Sequence, residues 1–353
     1  MACFRFENVH IEAYAVHSPT RVVTSSELED KLAPLYDNLK IPYGTLEKLS
    51  GVSSRYLWDN TVRPSDVATK AAEKALENVS FDRDEIGVLF NCSVTRDYFE
   101  PATATIVHRN LGLKENCFAL DITNACVGFS NGIALLGSLI ETGVVKAGLL
   151  VSGESVTSII DNCVATISKD PSISREQLLK LVPTLTLGSG AVAYVLCHKN
   201  IASTTHRVIA SVARTASECS DLCAGNNDYA MFQDGEFNPV METEASKLIA
   251  SAAVLGGRTW KEASEFIGWG SNDVDHVVCH QVGKQVNGAF YKEVGLDQNK
   301  EFTIYRTYGN LVSAAMPTAL AMSITQKPVK QGDKIVLLGY GSGLQAVFTG
   351  LIW

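Results

Sequence analysis

Asp121-Ile122-Thr123-Asn124-Ala125-Cys126-Val127-Gly128-Phe129-Ser130-Asn131-Gly132 is the stretch on which the reading of this chain turns. It leaves a strand-length apolar run at 117–122 (CFALDI), turns on small residues, and enters a helix expected over about 126–142. Phe129, Ile133, Leu136 and Ile140 form that helix's apolar stripe. A thiol at a helix N-terminus meets unpaired backbone N–H groups and the positive end of the dipole, which favours thiolate below the free value of about 8.5. Thiolate is a soft nucleophile suited to thioester exchange. Gly128 and Gly132 would let neighbouring backbone approach. A cysteine at such a junction can equally be a small buried filler, so the stretch carries chemistry only with partners.

Working outward, strand-like and helical runs alternate. A helix is expected at 65–78, capped by Ser65, before a strand at 86–92; further strands fall at 149–152 and 191–196. Helices at 242–256 and 314–324 and strands at 277–279 and 334–338 repeat the plan. This alternation predicts an α/β architecture with sheets covered on both faces. Val145-Lys146-Ala147-Gly148 before one apolar strand is echoed by Val329-Lys330-Gln331-Gly332 before another. The echo fits two halves of one design joined near 198–206, although Val-Lys-x-Gly also suits any turn before a buried strand. The polar segment 161–181 interrupts the pattern and reads as an excursion or lid.

The 353 residues, 46% hydrophobic, suffice for a large core or two fused ones. A net charge of −8 without Lys/Arg runs argues against a nucleic-acid surface. No signal-peptide pattern or membrane-length apolar run is present. The nine scattered cysteines, never in Cys-x-x-Cys spacing, fit a reduced, cytoplasmic protein. Cys219 and Cys223 lack a histidine nearby, and His276 and His280 lack a third ligand, so no metal is expected.

Three segments can partner Cys126. His280 stands where the strand of Asp275-His276-Val277-Val278-Cys279 should end, the place where ligands meet α/β sheets; His276, inside that strand, reads as structural. Asn310, in Tyr308-Gly309-Asn310-Leu311, opens a small-residue helix and could also be an ordinary cap. Gly339-Tyr340-Gly341-Ser342-Gly343 follows the last apolar run and could present N–H groups to an oxyanion or simply turn the chain. Too little chain follows it for a dinucleotide fingerprint.

These four segments, in this order, resemble the β-ketoacyl-acyl carrier protein synthase III group of the thiolase superfamily. The resemblance spans essentially the whole chain. It implies a duplicated five-layer αβαβα thiolase fold with pseudo-twofold halves at 1–200 (the nucleophile) and 201–353 (His280 and Asn310). It implies Cys126, His280 and Asn310 as catalytic residues, with the Cys126 and Gly343 N–H groups as the oxyanion hole. Within the superfamily, Ser93-Val94-Thr95-Arg96-Asp97-Tyr98-Phe99-Glu100-Pro101 is similar to the head-to-head acyl-CoA condensing enzymes of bacterial long-chain olefin biosynthesis. So are Asn124-Ala125-Cys126, 184–190, 222–226 and 351–353. In those enzymes the residue matching Glu100 enters the partner subunit's site as a base, so a homodimer is implied.

Two departures matter. Leu311-Val312-Ser313-Ala314-Ala315 and Val127-Gly128-Phe129 are nearer to synthase III, whereas the Trp and Arg by which synthase III holds the CoA adenine fall near Thr45 and Leu49 here. Lys48, Arg55 and Lys284 are the basic residues considered for the CoA phosphates. The resemblance implies no cofactor beyond acyl-CoA as substrate, acyl carrier protein as another possible partner, and non-decarboxylative Claisen condensation of two acyl-CoA molecules through an acyl-Cys126 intermediate. Decarboxylative condensation with malonyl-acyl carrier protein is the alternative, and a non-catalytic binding subunit a third. Glu100 decides between the first two, because only an acyl-CoA donor needs a base; an ion pair with Arg96 is its competing role.

Overall fold

Ala147–Glu154 is buried at every position, as a parallel-sheet strand covered on both faces must be. It lies at the middle of a five-strand order: Phe118–Asp121, Ile86–Asn91, Ala147–Glu154, Gly190–His198, Val9–His17. The first three are mutually parallel and the next two steps antiparallel. The same order recurs in the C-terminal half. His276–Cys279 runs parallel to Lys334–Gly341, followed by antiparallel Gln345–Ile352 and Arg207–Thr215. Glu301, bridged in parallel to Val277, takes the outermost place. One pair, His10 with Arg207, joins the two sets of strands. The computed structural model describes residues 2–170, 172–225, 232–233, 236–237, 241–327 and 329–353.

Three apolar clusters stack the layers. The central one packs Gly128–Glu141 and Ala315–Gln326 between the two strand sets, through Phe129, Ile133, Leu136, Met316 and Leu320. Pro64–Leu76 and Thr103–Leu111 cover the outside of the first set. Ala245–Ile267 and Lys284–Val294 cover the second. The result is the expected αβαβα layering, with the echoed Val-Lys segments leading into equivalent strands.

Some expected boundaries move for identifiable reasons. Pro64 occupies the first turn of its helix, where its missing N–H costs nothing, and Ser65 gives its N–H and hydroxyl to Asp97 (2.9 and 2.6 Å) instead of capping. The expected 242–256 helix is Ala245–Ile267. Gly256-Gly257 reads as a stop, yet Ala253, Gly256, Trp260 and Ala263 form one buried stripe. A Cβ at Gly256 would stand 1.8 Å from the Tyr340 hydroxyl, so the glycine serves close packing. The expected excursion at 161–181 is two helices, Thr157–Lys169 and Arg175–Leu185, the second opened by a Ser174/Gln177 capping box. Their apolar residues join a fourth cluster above the site.

Candidate active site

The nucleophile segment departs from expectation in one respect: the helix is Gly128–Glu141, and Cys126 sits on the turn before it. Ala125 has φ +46°, an uncommon conformation for a residue with a side chain, and this sharp turn brings Ala125 and Cys126 to the wall of a cavity of about 960 Å³. The turn is tied to the other half of the molecule. Asn124 and Gln345 exchange side-chain amide hydrogen bonds of 2.9 and 2.7 Å, and Asn124 also donates to Asn131 at 2.8 Å. Gly341 lies against the turn so closely that a Cβ there would be 2.8 Å from Val127 Cγ1. Gly128 approaches the carbonyl oxygens of Cys92 and Ile122 in the same way, as its position in the sequence suggested.

The expected thiolate is corrected. Burial pushes the Cys126 thiol well above its ordinary value, and Cys223 and Glu154 push in the same direction; its own backbone N–H, close to the sulfur, opposes them. The dipole acts within the first helical turn, and Cys126 precedes that turn, so desolvation wins. The free site therefore holds a thiol, and nucleophilic attack requires a proton acceptor.

His280 lies just beyond the strand His276–Cys279, its N–H bonded to the Leu338 carbonyl at 2.9 Å. It is 4% exposed, and burial lowers its pKa to about 4, so the imidazole is neutral at physiological pH. Among the described residues its Nδ1 has no hydrogen-bond partner. Gln281, next in sequence, fixes the following loop by donating to the Phe302 carbonyl (2.6 Å) and accepting from the N–H groups of Ile304 and Tyr305 (2.6 and 3.0 Å). His276 instead meets Asp333 at 2.9 Å, the structural role expected of it.

Asn310 stands just before the small-residue segment and at the cavity wall. Its Oδ1 accepts the Val312 N–H at 2.9 Å, at the start of the turn Val312–Ala314 that precedes Ala315–Gln326. That bond consumes the carbonyl end of the amide and leaves the NH2 as its donor. Backbone bonds to Thr186 (2.9 Å) and Gly188 (2.8 Å) hold the residue from both sides. Cys126, His280 and Asn310 line one cavity, as do Ser342 and Leu344 on either side of Gly343.

Glu100 lines the cavity too and is exposed in the single chain. Among the described residues it makes no ion pair with Arg96, whose guanidinium stands over the Phe99 ring at 5.6 Å. Phe99 is 53% exposed, and Phe118 and Leu120 on the edge strand Phe118–Asp121 are 59% and 42% exposed. The cavity wall is mainly apolar, with Ile159 and Leu187 from the N-terminal half and Leu248, Ile249, Ala253 and Phe290 from the C-terminal half. Of the basic residues considered for phosphates, Arg55 is excluded: it is fully buried and donates to the Val23 carbonyl and the Ser25 hydroxyl. Lys48 and Lys284 are exposed on adjoining helices, Thr45–Ser50 and Lys284–Val294. The similar stretch at 222–226 runs past the described residues at Asn226, which lies outside them.

One cavity-lining residue and one buried residue behind the cavity wall escaped the sequence reading. Cys223, weighed as a metal ligand and otherwise only as part of the similar stretch 222–226, lines the cavity and pushes the Cys126 thiol upward. Glu154 is a carboxylate closing a strand with no other charged residue, and that incongruity was the available signal.

Known proteins share this fold. Family models described as 3-oxoacyl-[acyl-carrier-protein] synthase III match residues 120–172 and, for its C-terminal part, 265–351. The chain is 34% identical over 348 residues to the acyl-CoA:acyl-CoA alkyltransferase of Xanthomonas campestris pv. campestris, covering 99% of both chains. It is 34% identical to the enzyme of that name from Shewanella oneidensis, covering 99% of this chain and all of that one. A Clostridium tetani β-ketoacyl-[acyl-carrier-protein] synthase III is 26% identical over 82% of this chain and 84% of that one. The crystal structure of cerulenin-bound Xanthomonas campestris OleA superposes with a TM-score of 0.92, covering 99% of this chain and 98% of that one.

Proposed function

The chain belongs to the acyl-CoA:acyl-CoA alkyltransferase family of thiolase-fold condensing enzymes, and from that premise we propose that it joins two fatty acyl-CoA molecules by non-decarboxylative Claisen condensation. The observation that carries the reading is the shared cavity of Cys126, His280, Asn310 and Glu100, a thiol, a neutral imidazole, an amide donor and a carboxylate around one apolar space. In this reading residues 1–200 supply the nucleophile and residues 201–353 supply His280 and Asn310.

In the first half-reaction the Cys126 sulfur attacks the acyl-CoA carbonyl while neutral His280 takes the thiol proton. The N–H groups of Cys126 and Gly343 receive the negative oxygen. Collapse expels CoA as thiolate, which regains the proton from His280, so the net change is exchange of one thioester for another. In the second, the Glu100 carboxylate takes an α-proton from a second acyl-CoA, and His280 and Asn310 donate hydrogen bonds to its thioester oxygen, stabilising the enolate. The enolate carbon attacks the acyl-Cys126 carbonyl and the Cys126 sulfur departs; net return to it of the proton taken by Glu100 restores both the thiol and the carboxylate. The product is a 2-alkyl-3-keto thioester, released as such or hydrolysed to the acid.

We take the enzyme to be a cytoplasmic homodimer in which Glu100 serves the neighbouring site. The exposed apolar side chains of Phe99, Phe118 and Leu120, on and beside the sheet-edge strand next to Glu100, support a covered edge there. Among the described residues no helix is long and apolar enough to cross a membrane. Lys48 and Lys284 are the basic groups we assign to the CoA phosphates. The deciding assay gives the enzyme long-chain acyl-CoA alone and, separately, with malonyl-acyl carrier protein, and identifies products by mass. Condensation without malonate is expected. A product that appears only with the malonyl donor would assign the decarboxylative reaction instead, and failure of Cys126 to become acylated would point to a binding subunit.

A further inference from the structure

Glu154 ends the strand Ala147–Glu154 with no exposed surface and, among the described residues, no basic side chain as a hydrogen-bond partner. A bare carboxylate there would cost several kcal/mol of desolvation, so its donors matter. Oε1 accepts the Val94 N–H at 2.8 Å, the Ser313 N–H at 3.3 Å and the Ser313 hydroxyl at 2.5 Å. Oε2 accepts the Thr95 N–H at 3.0 Å and the Thr95 hydroxyl at 2.8 Å. With its own hydrogen committed, the Ser313 oxygen lies 2.7 Å from the Ser152 hydroxyl, which completes the network.

These donors come from two places in the fold. Val94 and Thr95 open the loop that runs to Glu100, and both line the cavity. Ser313 belongs to the turn Val312–Ala314, whose first N–H orients the Asn310 amide; Val312 is held there at φ +54°. One buried carboxylate thus ties the loop bearing the proposed base to the turn bearing the proposed enolate donor, across the two halves of the molecule. We propose that Glu154 is a positioning residue for the condensation half-reaction, setting Glu100 and Asn310 in register while leaving acylation of Cys126 largely to Cys126 and His280. This rests on the functional reading above.

Glu154→Gln is isosteric but replaces one acceptor oxygen by an NH2, which must then face N–H and hydroxyl donors, so the clamp opens without loss of volume. With long-chain acyl-CoA, acyl-enzyme formation, followed by intact-protein mass, is expected to stay within about threefold of wild type. Condensation is expected to fall about 100-fold, the scale of one lost oxyanion donor. Glu154→Asp should recover part of the condensation rate. In the background of Asn310→Ala, adding Glu154→Gln should cost less than it does in wild type, because the part of its effect that runs through Asn310 is already lost while the part that runs through Glu100 remains. Condensation at the wild-type rate, equal loss of both half-reactions, or independent multiplication with Asn310→Ala would each overturn the assignment. Should Glu154→Gln fail to fold, Ser313→Ala, which removes one hydroxyl donor, must show the same preferential loss of condensation, and its absence is equally decisive. The wild-type enzyme is the separate control: if it acylates Cys126 yet makes no carbon–carbon bond from acyl-CoA alone, the functional reading fails rather than the clamp.

Discussion

His280 shows how burial sets chemistry at the level of one residue. Its folded pKa of about 4 lies below the ordinary 6.5. Above pH 6.5 neither folded nor unfolded chain protonates it. As pH falls towards 4 the unfolded chain takes the proton and the folded one does not, so the native state loses up to about 3 kcal/mol across that window. The stability of wild type minus that of His280→Gln, from denaturant curves at matched pH, should therefore decline between pH 6.5 and 4 and level off below it. A flat difference would show the imidazole to be solvated. Cys126 moves the other way. With its thiol held protonated, alkylation by iodoacetamide should climb steadily from pH 7 to 9 without a plateau, and a plateau starting below pH 7 would restore the thiolate. Cys126→Ala should form no acyl-enzyme. Asn310→Ala should still form it and lose about 3 kcal/mol of transition-state stabilisation in condensation, read as a roughly 100-fold lower rate.

Among the elements, the hairpin Lys334–Gly341 and Gln345–Ile352 supports the site twice over. Gly341 lets it press on the Val127 backbone, and Gln345 pairs with Asn124 on the nucleophile turn. Gly341→Ala should cost about 1–3 kcal/mol in chemical denaturation, since the contact it meets includes backbone that cannot swing aside. Acyl-enzyme formation should fall with it, because the same displacement moves Cys126. Gly332→Ala serves as the comparison in stability: a Cβ there meets nothing within 4 Å, and only the positive φ of +92° is penalised.

At the scale of the whole molecule the question is whose Glu100 serves which cavity. In the isolated chain the residue stands at its own cavity wall, exposed, beside apolar side chains. Mixing Cys126→Ala with Glu100→Ala, each inactive in condensation, settles the matter. If the base works across a dimer, random exchange of subunits should restore about a quarter of wild-type activity, because half of the dimers carry one complete site. If it works within the chain, no activity returns. Phe118→Asp should separate the subunits in sedimentation and abolish that recovery.

Much of this protein is legible in its sequence. The apolar runs and their alternation gave the layers, because a strand buried on both faces must be mostly apolar. The turn around Cys126, the strand exit at His280 and the segment around Asn310 each carried a local signal. Periodicity did not reveal what depends on contacts between distant parts of the chain. The Gly256 position reads as a helix stop until Tyr340 is placed against it. Ser65 reads as a cap until Asp97 claims its donors. Arg55 reads as a phosphate ligand until the fold buries it. The state of the Cys126 proton and the purpose of Glu154 belong to the same class. Residue type and spacing determine which groups can do chemistry, but desolvation and hydrogen-bond partners exist only once both halves have closed around them.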